Sequence, residues 1–373
     1  MNNALAILFA SSNENKFNNL TKVRTTCSLP FCGRYRLIDF ALSNLVNSGI
    51  TNIGILARHS YNSLMDHIRQ GRDWDLNRKY GGITVFPPHV LNAATGGDSE
   101  KNRIEQLHSI LTFVKESRED YVVISGANIV TNIDLDDVFE AHVASKADIT
   151  MLTYRAPTTA NRRLIATVND DNRIIDLVLS ETQSPVIREV GLNIYVLHKS
   201  LFINLLEDAH ARGLTDLERD ILIKNVGIYK MFSYRINNYA AIIDDVRSYY
   251  TENMNAALNM DIRQDLFYGC GTIYTKVKDS APTVYKDGAK VSNSLIADGC
   301  IIEGTVENCV LFRGVHVKPG AVVKNSIIME HGIIGANSSV AYCITDKGVT
   351  IHDNRTIAGF ETFPYIIEKN ASV

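Results

Sequence analysis

Residues 29–49, LPFCGRYRLIDFALSNLVNSG, contain a turn, a pair of cations and an amphipathic helix in direct succession. A turn at residues 30–33 is followed at once by Arg34 and Arg36. The next apolar side chains recur at the spacing of one helical stripe, namely Leu37, Phe40, Ala41 and Leu45. Gly49 is typical of a helix C-terminus, where the backbone often turns left-handed. This stretch therefore predicts a helix that packs one face onto a core.

The composition is that of an ordinary globular protein with room for two domains. The chain has 373 residues, of which 45% are hydrophobic and 21% are charged. A net charge of -3 argues against a nucleic-acid partner. No apolar run approaches the roughly 20 residues that cross a bilayer, and the first residues lack a basic signal-peptide region. The six cysteines form no CxxC pair, so we expect structural thiols, no metal site and a cytoplasmic location.

The first two thirds of the chain alternate buried strands with amphipathic helices. Strands are predicted at residues 4–10, 52–57, 121–125, 149–154 and 193–197, with a hairpin at 165–181. Helices are predicted at residues 37–47, 64–70, 104–115, 135–144 and 201–210. This alternation indicates an α/β fold with a mostly parallel sheet. In such sheets ligands bind in the loops beyond the carboxyl ends of the strands.

The last third of the chain carries a six-residue repeat. One row of apolar residues comprises Leu311, Val317, Val323 and Met329, and a second comprises Val315, Ala321, Ile327 and Ile333. Such hexapeptide periodicity is typical of a left-handed parallel β-helix. We therefore predict a sheet domain at residues 1–258, a turn-rich polar linker at 259–290 and a β-helix domain at 291–373.

The opening stretch resembles the FGGKYRLIDFxLSNxxNSGI segment of the ADP-glucose pyrophosphorylases (glucose-1-phosphate adenylyltransferases). Residues 59–76, HSYNSLMDHIRQGRDWDL, are similar to QYxSxSLxxHIxxGWxWDL in the same family. The resemblance extends over nearly the whole chain and implies a nucleotidyltransferase-like domain followed by the β-helix. It also implies the reaction of that family, in which ATP and glucose 1-phosphate give ADP-glucose and diphosphate.

The residues that hold magnesium in the family are replaced in this chain. The family motif GDHIY reads GANIV at residues 126–130, so Ala127 stands in the place of the first metal-binding aspartate. In the segment at residues 238–254, Ile242 stands in the place of the second. Nucleotidyl transfer depends on metal and positioning rather than on a protein nucleophile. The resemblance therefore implies no catalytic residue and no cofactor in this chain, with magnesium bound only in a catalytic partner.

The loop after the first strand has also lost the family's phosphate-binding residues. Relative to GGxGTRLxPLTxxRAKP, aligned on Arg24, this loop contains no glycine. Ser11, Ser12 and Glu14 fall on family glycines, Lys16 falls on the arginine, Thr26 on the lysine, and Arg58 replaces a glutamine near the nucleotide. An ordinary solvated loop and a residual phosphate contact at Lys16 are both open readings. No register within residues 80–100 restores the nucleotide-binding WYxGTADA motif.

The sugar side of the site is partly retained. Where the family has FxEKP, this chain keeps Glu181 but has Thr182 in place of the lysine that takes the sugar phosphate. Gly191 lies in GLNIYVL, which resembles the MGIYVF strand of the family's sugar pocket, and this glycine could leave room for a hexose.

This pattern of losses is most similar to the second, regulatory subunits of the bacterial family. It implies a non-catalytic subunit that modulates a catalytic ADP-glucose pyrophosphorylase subunit in a hetero-tetramer, with self-association as a further option. One alternative is a weakly active adenylyltransferase that recruits metal through Asp244, Asp245 or Asn128. Another is a hexapeptide-repeat acyltransferase or a sugar-phosphate sensor, for which His316 and His331 are the histidines within the coils.

A sugar-phosphate effector is the other ligand that the resemblance implies. The family lysine that matches Arg34 contacts such an effector between the two domains. Arg36 is its neighbour, and Arg313 and His316 could form the other wall, since convergent cations suit phosphate recognition. The alternative is that these cations form ordinary salt bridges.

Overall fold

A computed structural model describes residues 3–12, 14–58, 60–87, 102–159 and 161–373 of the chain. Its helices are α1 (Leu37–Asn47), α2 (Asn62–Ile68), α3 (Arg103–Ser109), α4 (Leu111–Glu116), α5 (Leu135–Ala144), α6 (Lys199–Ala211), α7 (Val246–Leu258) and α8 (Met260–Tyr268). The strands before α7 are β1 (Ala4–Phe9), β2 (Pro30–Phe31), β3 (Tyr35–Arg36), β4 (Asn52–Leu56), β5 (Gly82–Phe86), β6 (Tyr121–Gly126), β7 (Ile129–Thr131), β8 (Ile149–Thr158), β9 (Arg163–Val168), β10 (Ile174–Ser180), β11 (Ser184–His198), β12 (Met231–Arg235) and β13 (Ala240–Ile242).

A mixed sheet forms the centre of the first domain. Among the described residues, nine strands join it in the order β10-β9-β11-β6-β1-β4-β5, with β8 paired to β11 and β12 paired to β8. Strands β6, β1, β4 and β5 run parallel, whereas β11 is antiparallel to β6, β8 and β9. The predicted α/β class is confirmed, and the predicted hairpin forms as β9 and β10. The carboxyl ends of β1 and β6 therefore meet at one edge of the sheet.

Helix α1 has the bounds that the sequence predicts and is held by polar contacts inside the core. Asp39 accepts hydrogen bonds from the Arg36 N–H at 3.0 Å and pairs with His67 Nε2 at 2.5 Å. Asn44 donates to the Thr131 carbonyl at 2.9 Å. These contacts satisfy two buried residue types that otherwise favour turns over helix interiors. The helix ends before Gly49, whose φ of 72° is left-handed.

The second domain is a β-helix with three parallel faces. Its strands are β14 (Val284–Tyr285), β15 (Lys290–Ser292), β16 (Leu295–Ile296), β17 (Ile301–Ile302), β18 (Thr305–Glu307), β19 (Val310–Leu311), β20 (His316–Val317), β21 (Val322–Lys324), β22 (Ile327–Ile328), β23 (Ile333–Ile334), β24 (Ser339–Ala341), β25 (Cys343–Thr345), β26 (Thr350–Ile351), β27 (Thr356–Ala358) and β28 (Tyr365–Ile367). Each strand pairs with the strand three places later, so five-stranded sheets begin at β14, β15 and β16. Repeat residues such as Leu311, Val317 and Val323 are fully buried inside the stack. The predicted hexapeptide β-helix is therefore confirmed.

The segment between the two domains contains regular structure. Helix α8 and strand β14 both lie within residues 259–290, the segment predicted as a linker. Asn259 caps α8 by accepting a hydrogen bond from the Asp261 N–H at 2.9 Å. The predicted domain boundaries themselves stay a prediction.

The opening stretch packs the first domain onto the β-helix. Leu37 and Phe40 share one apolar cluster with Val310 and Phe312 of the β-helix. The cluster continues into α7, where the Tyr249 hydroxyl donates to the Pro30 carbonyl at 2.5 Å, while that of Tyr250 donates to the Asn325 carbonyl at 2.6 Å. The same residues that form α1 therefore join the two domains through one continuous core.

A buried ion pair crosses this interface. Arg24 donates from its guanidinium to Asp346 Oδ1 at 2.7 Å, and the two side chains are 2% and 1% exposed. Asp346 also accepts a hydrogen bond from the Lys347 N–H at 2.7 Å. Separating the two domains at this point would leave each buried charge without its partner, at a high desolvation cost. The pair therefore holds the first domain and the β-helix together.

We expect Arg24→Met to lower the free energy of unfolding by about 3–5 kcal/mol, because Asp346 would stay buried without its cation. The double variant Arg24→Met with Asp346→Asn should recover most of that loss, since the amide oxygen can still accept from Lys347 N–H. Urea unfolding followed by circular dichroism measures both. Equal stability of the single variant and the parent protein would contradict the assignment.

Candidate functional site

The two positions that correspond to the family's metal-binding aspartates lie together at the carboxyl edge of the sheet. Ala127 directly follows β6, and its N–H donates to the Phe9 carbonyl at the end of β1 at 3.0 Å. Ile242 is the last residue of β13 and pairs with Ile129 of β7. Ala127, Ile129 and Ile242 belong to one apolar cluster, in which Ala127 is 0% and Ile242 5% exposed. Neighbouring Asn128 is tied down by donating from Nδ2 to the Ile243 carbonyl at 2.8 Å.

The two nearby aspartates are occupied by protein partners. Asp244 is 2% exposed, forms an ion pair with Arg163, and accepts from Asn161 Nδ2 at 2.7 Å. Asp245 accepts from the same Asn161 Nδ2 at 2.6 Å and caps α7 by accepting from the Ser248 N–H at 2.6 Å. Burial raises the pKa of Asp244 despite the Arg163 charge. Burial also acts to raise the pKa of Asp245, but the hydrogen bonds from Ser248 and Asn161 outweigh it and lower that pKa.

The loop after β1 is closed by its own hydrogen bonds. The Lys16 ammonium donates to Asn161 Oδ1 at 3.0 Å and thereby joins the group around Asp244. The Thr26 hydroxyl, at the position of the family lysine, donates to the Ser12 carbonyl at 2.7 Å. The Glu14 carbonyl accepts from the Thr21 hydroxyl at 2.7 Å, and Ser11 is buried.

A second ion network lies beside the first and was not predicted from the sequence. Arg162 donates to both oxygens of Asp216 at 2.7 and 2.6 Å and lies 3.6 Å from Glu218. Glu218 pairs with Arg103, whose guanidinium lies 4.9 Å from the ring centre of Phe9. Phe9 is the last residue of β1, so this network reaches the same edge of the sheet. The run Asn-Arg-Arg at residues 161–163 is the sequence signal that could have indicated it.

The sugar-side residues are separated, because two are exposed and one is buried. Glu181 and Thr182 are exposed in the loop between β10 and β11. Gly191 lies inside β11, where a Cβ atom would come within 3.2 Å of Met151 Sδ and 3.4 Å of the Leu164 carbonyl. The direction in which a side chain would point from Gly191 is therefore filled by packed protein atoms.

Two further predicted positions lie at or beyond the limits of the described residues. Arg58 is half-buried just after β4. The adjacent His59 and the part of the segment 80–100 from residue 88 onward lie outside the described residues.

The four effector candidates lie on both sides of the domain interface. Arg34 is exposed, with its guanidinium 5.6 Å from the Tyr35 ring centre. Arg36 donates to the Ser63 carbonyl at 2.7 Å. In the β-helix, Arg313 pairs with Asp298 at 3.1 Å and His316 with Glu303 at 2.9 Å. Within the described ranges, no ion pair or hydrogen bond joins Arg34 or Arg36 to Arg313 or His316. The two domains nevertheless approach each other closely here, since a Cβ at Gly33 would lie 3.4 Å from the Leu311 carbonyl.

A partly buried cluster of cations occupies the interface instead and includes residues that sequence reasoning missed. Lys347 pairs with Glu330 at 2.9 Å, close to the Arg24–Asp346 pair described above. The charges of Arg36 and Arg24 act on Lys347, and burial lowers the pKa of that lysine to about 8. Burial also lowers the pKa of Arg36, and the negative charge of Glu330 offsets part of that decrease. The sequence signal for this cluster was the charged turn Asp-Lys-Gly between β25 and β26.

The described part of the chain has neither a clustered metal-ligand set nor a membrane-spanning helix. Nowhere in it do three or more His, Cys, Asp or Glu side chains come together in a group that could hold a metal ion. None of its helices combines the length and the apolar character needed to span a bilayer.

Comparison with known proteins agrees with the fold and with the resemblance. The family profile described as "Nucleotidyl transferase" matches residues 5–255, and "GlmU-like, C-terminal hexapeptide" matches residues 280–362. A protein named "Glycogen biosynthesis protein GlgD" from Bacillus subtilis (strain 168) is 33% identical over 369 residues, which cover 99% of this chain and 96% of the relative. The chain belongs to the glucose-1-phosphate adenylyltransferase family.

Relatives within the family carry two different names. A second "Glycogen biosynthesis protein GlgD", from Geobacillus stearothermophilus, is 34% identical and covers 86% of this chain and 83% of its own length. A "Glucose-1-phosphate adenylyltransferase" from Bacillus cytotoxicus is 30% identical and covers 95% of this chain and 94% of its own length. The scaffold is thus shared with proteins named as enzymes and with proteins named only for glycogen biosynthesis.

The residues of this chain do not fit the magnesium ion that the family implies. Ala127 and Ile242 offer no oxygen ligand, and both are packed in an apolar cluster. Magnesium needs oxygen ligands in near-octahedral order, usually including one or two carboxylates. The nearest carboxylates, Asp244 and Asp245, are bound to Arg163, Asn161 and Ser248.

The lowered pKa of Lys347 predicts a specific pH dependence of stability. The folded protein releases this proton near pH 8, whereas an ordinary lysine holds it to about pH 10.5. Between these values the unfolded chain binds more protons, so the lysine contributes increasing stability as the pH rises. In urea unfolding, we expect the free energy of unfolding of the parent protein minus that of Lys347→Met to increase from pH 8 to pH 10.5. Lys290→Met, at an exposed lysine, is the matched control and should show no such slope; a flat difference for Lys347→Met would contradict the burial of its charge.

Proposed function

We propose that this chain is a regulatory, catalytically degenerate subunit of glucose-1-phosphate adenylyltransferase in cytoplasmic glycogen biosynthesis. The observation that carries the proposal is the apolar burial of Ala127 and Ile242 at the carboxyl edge of the sheet. In the family's reaction, metal and positioning stabilise the transferring phosphoryl group. A chain without those ligands keeps the scaffold and loses the means of catalysis. The magnesium ion of the complex would be bound by the catalytic partner alone.

The ion networks at the same edge support this reading. A triphosphate entering there would meet Asp244 and Glu218, whose charges are balanced by Arg163, Arg162 and Arg103. Binding of a polyanion would require these buried pairs to separate, and an unpaired buried charge is costly.

The two alternative functions, a weakly active adenylyltransferase and a hexapeptide acyltransferase, have no comparable support. A weakly active enzyme would need Asp244, Asp245 or Asn128 as metal ligands, but each of these side chains is bound to protein groups. A hexapeptide acyltransferase would need a histidine held in a binding pocket, whereas His316 is paired with Glu303 and His331 lies exposed in the turn between β22 and β23. We therefore propose neither.

The purified chain alone should turn over ATP and glucose 1-phosphate at least about a thousandfold more slowly than a catalytic family member, because it lacks the metal ligands that stabilise the transition state. Each factor of ten corresponds to about 1.36 kcal/mol of lost transition-state stabilisation. Ala127→Asp with Ile242→Asp should not restore turnover, since the other phosphate-binding residues are also replaced. Circular dichroism verifies that the double variant is folded. Robust turnover by the parent chain in magnesium would refute the proposal.

We further propose that the partner is the catalytic subunit, bound in a hetero-tetramer, and that a sugar phosphate acts at the domain interface. Arg24, Arg36 and Lys347 lie there beside three carboxylates, Asp39, Glu330 and Asp346, with Arg24 paired to Asp346 and Lys347 to Glu330. A sugar phosphate would bind by competing with these carboxylates for guanidinium and ammonium groups, whose convergence suits phosphate recognition.

Mixing this chain with the catalytic subunit should give a complex on a sizing column and should change the KM or the effector response of the catalytic subunit. Lys347→Met should reduce the response to glucose 6-phosphate, whereas Lys290→Met should leave it intact. Complex formation without any kinetic change would contradict the regulatory role, and an unchanged response in Lys347→Met would contradict the effector site.

A further inference from the structure

A polar cleft lies along the outer strand β12, away from the residues discussed above. Its volume is about 410 Å³, and its walls come from α5, from β12 and from the turn between β9 and β10. The cleft shares no lining residue with the Ala127–Ile242 position or with the domain interface. It is therefore a separate place at which a ligand could bind.

One wall of the cleft carries two aromatic rings. Phe232 and Tyr234 alternate along β12 with Ser233, whose hydroxyl instead contacts Thr153 Oγ1 at 2.6 Å. Because side chains two positions apart in a strand lie on the same face, both rings belong to the face opposite Ser233. Each is half-buried, so part of each ring is accessible.

The hydrogen-bonding groups around these rings are neutral and available. Within the described residues, the side chains of Asn172, Asn237 and the Tyr234 hydroxyl have no hydrogen-bond partner. Ser145 adds a hydroxyl that donates to the Ala141 carbonyl at 2.7 Å and can still accept. An amide both donates and accepts, and therefore matches ligands rich in hydroxyl groups.

The charges around the cleft oppose an anionic ligand. Among its described lining residues the cation is Arg235, which is bound to Glu189 at 2.5 Å. Exposed Arg173 forms a backbone bridge with Phe232 beside the cleft. Asp171 lies in the wall, and Asp137 of α5 and its N-cap Asp134 act on Tyr234. A phosphate would therefore meet three carboxylates, while one cation is already paired and the other is solvated.

We propose that this cleft binds a neutral oligosaccharide, with sugar rings against Phe232 and Tyr234 and hydroxyls bonded to Asn172 and Asn237. The apolar face of a sugar ring suits an aromatic wall, and few convergent polar groups suffice for orientation. The choice of an α-linked glucan as the first probe rests on the proposed role in glycogen biosynthesis. Such a site would hold the subunit on the polymer whose precursor the complex makes.

Calorimetric titration of the purified chain with maltoheptaose tests the proposal, and electrophoresis in gels containing glycogen tests it on the polymer. We expect saturable binding and retarded migration. Tyr234→Phe with Asn237→Ala should weaken binding by about tenfold, the loss expected from removing two hydrogen-bonding groups while keeping the ring. The matched control is Tyr365→Phe with Ser339→Ala, on exposed β-helix strands, which should bind like the parent chain.

The outcomes separate this inference from the proposed function. Absence of saturable binding, or equal binding by the Tyr234 and Tyr365 double variants, overturns the oligosaccharide site. Competition by inorganic phosphate would also overturn it, because an anion rather than a sugar ring would then occupy the cleft. None of these results depends on the catalytic subunit, so complex formation and kinetic modulation can stand or fall independently.

Discussion

A carboxylate that is already paired with a buried arginine cannot at the same time serve as a free ligand for magnesium. The ion pair between Arg163 and Asp244 imposes this constraint at the carboxyl edge of the sheet. Asn161 extends it by bonding both Asp244 and Lys16, so that the loop after β1 is tied to the start of α7. The charges at this edge satisfy one another, and burial of such pairs makes their separation costly.

Loss of the metal ligands leaves the architecture intact because the fold rests on other residues. The stretch at residues 29–49 supplies α1 and the apolar contact with Val310 and Phe312, none of which takes part in metal binding. The Arg24–Asp346 pair adds a polar contact within the same interface. This separation of roles explains how the chain keeps the family scaffold over its whole length although the two metal-binding aspartates are replaced.

Much of the fold could be predicted because it depends on local patterns. Helices α1 and α5 have the bounds that their apolar spacing predicts, and the hexapeptide rows predicted the β-helix. The replaced aspartates could be found from motif alignment alone. The partners of the site could not, because Lys16 and Asn161 are 145 residues apart and Arg24 and Asp346 are 322 apart. No short-range pattern specifies pairs that only the folded chain brings together, and the Lys347 cluster was missed for the same reason.

Binding of Mn²⁺–ATP decides whether this edge of the sheet can hold a metal–nucleotide complex. Electron paramagnetic resonance of Mn²⁺ titrated with the purified chain and ATP reports bound metal without requiring turnover. Because the carboxylates at this edge are already paired, we expect the protein to leave the Mn²⁺–ATP signal unchanged. A saturable bound signal with one Mn²⁺ per chain, lost on replacing Asp244 by Asn, would show that the edge does bind the metal.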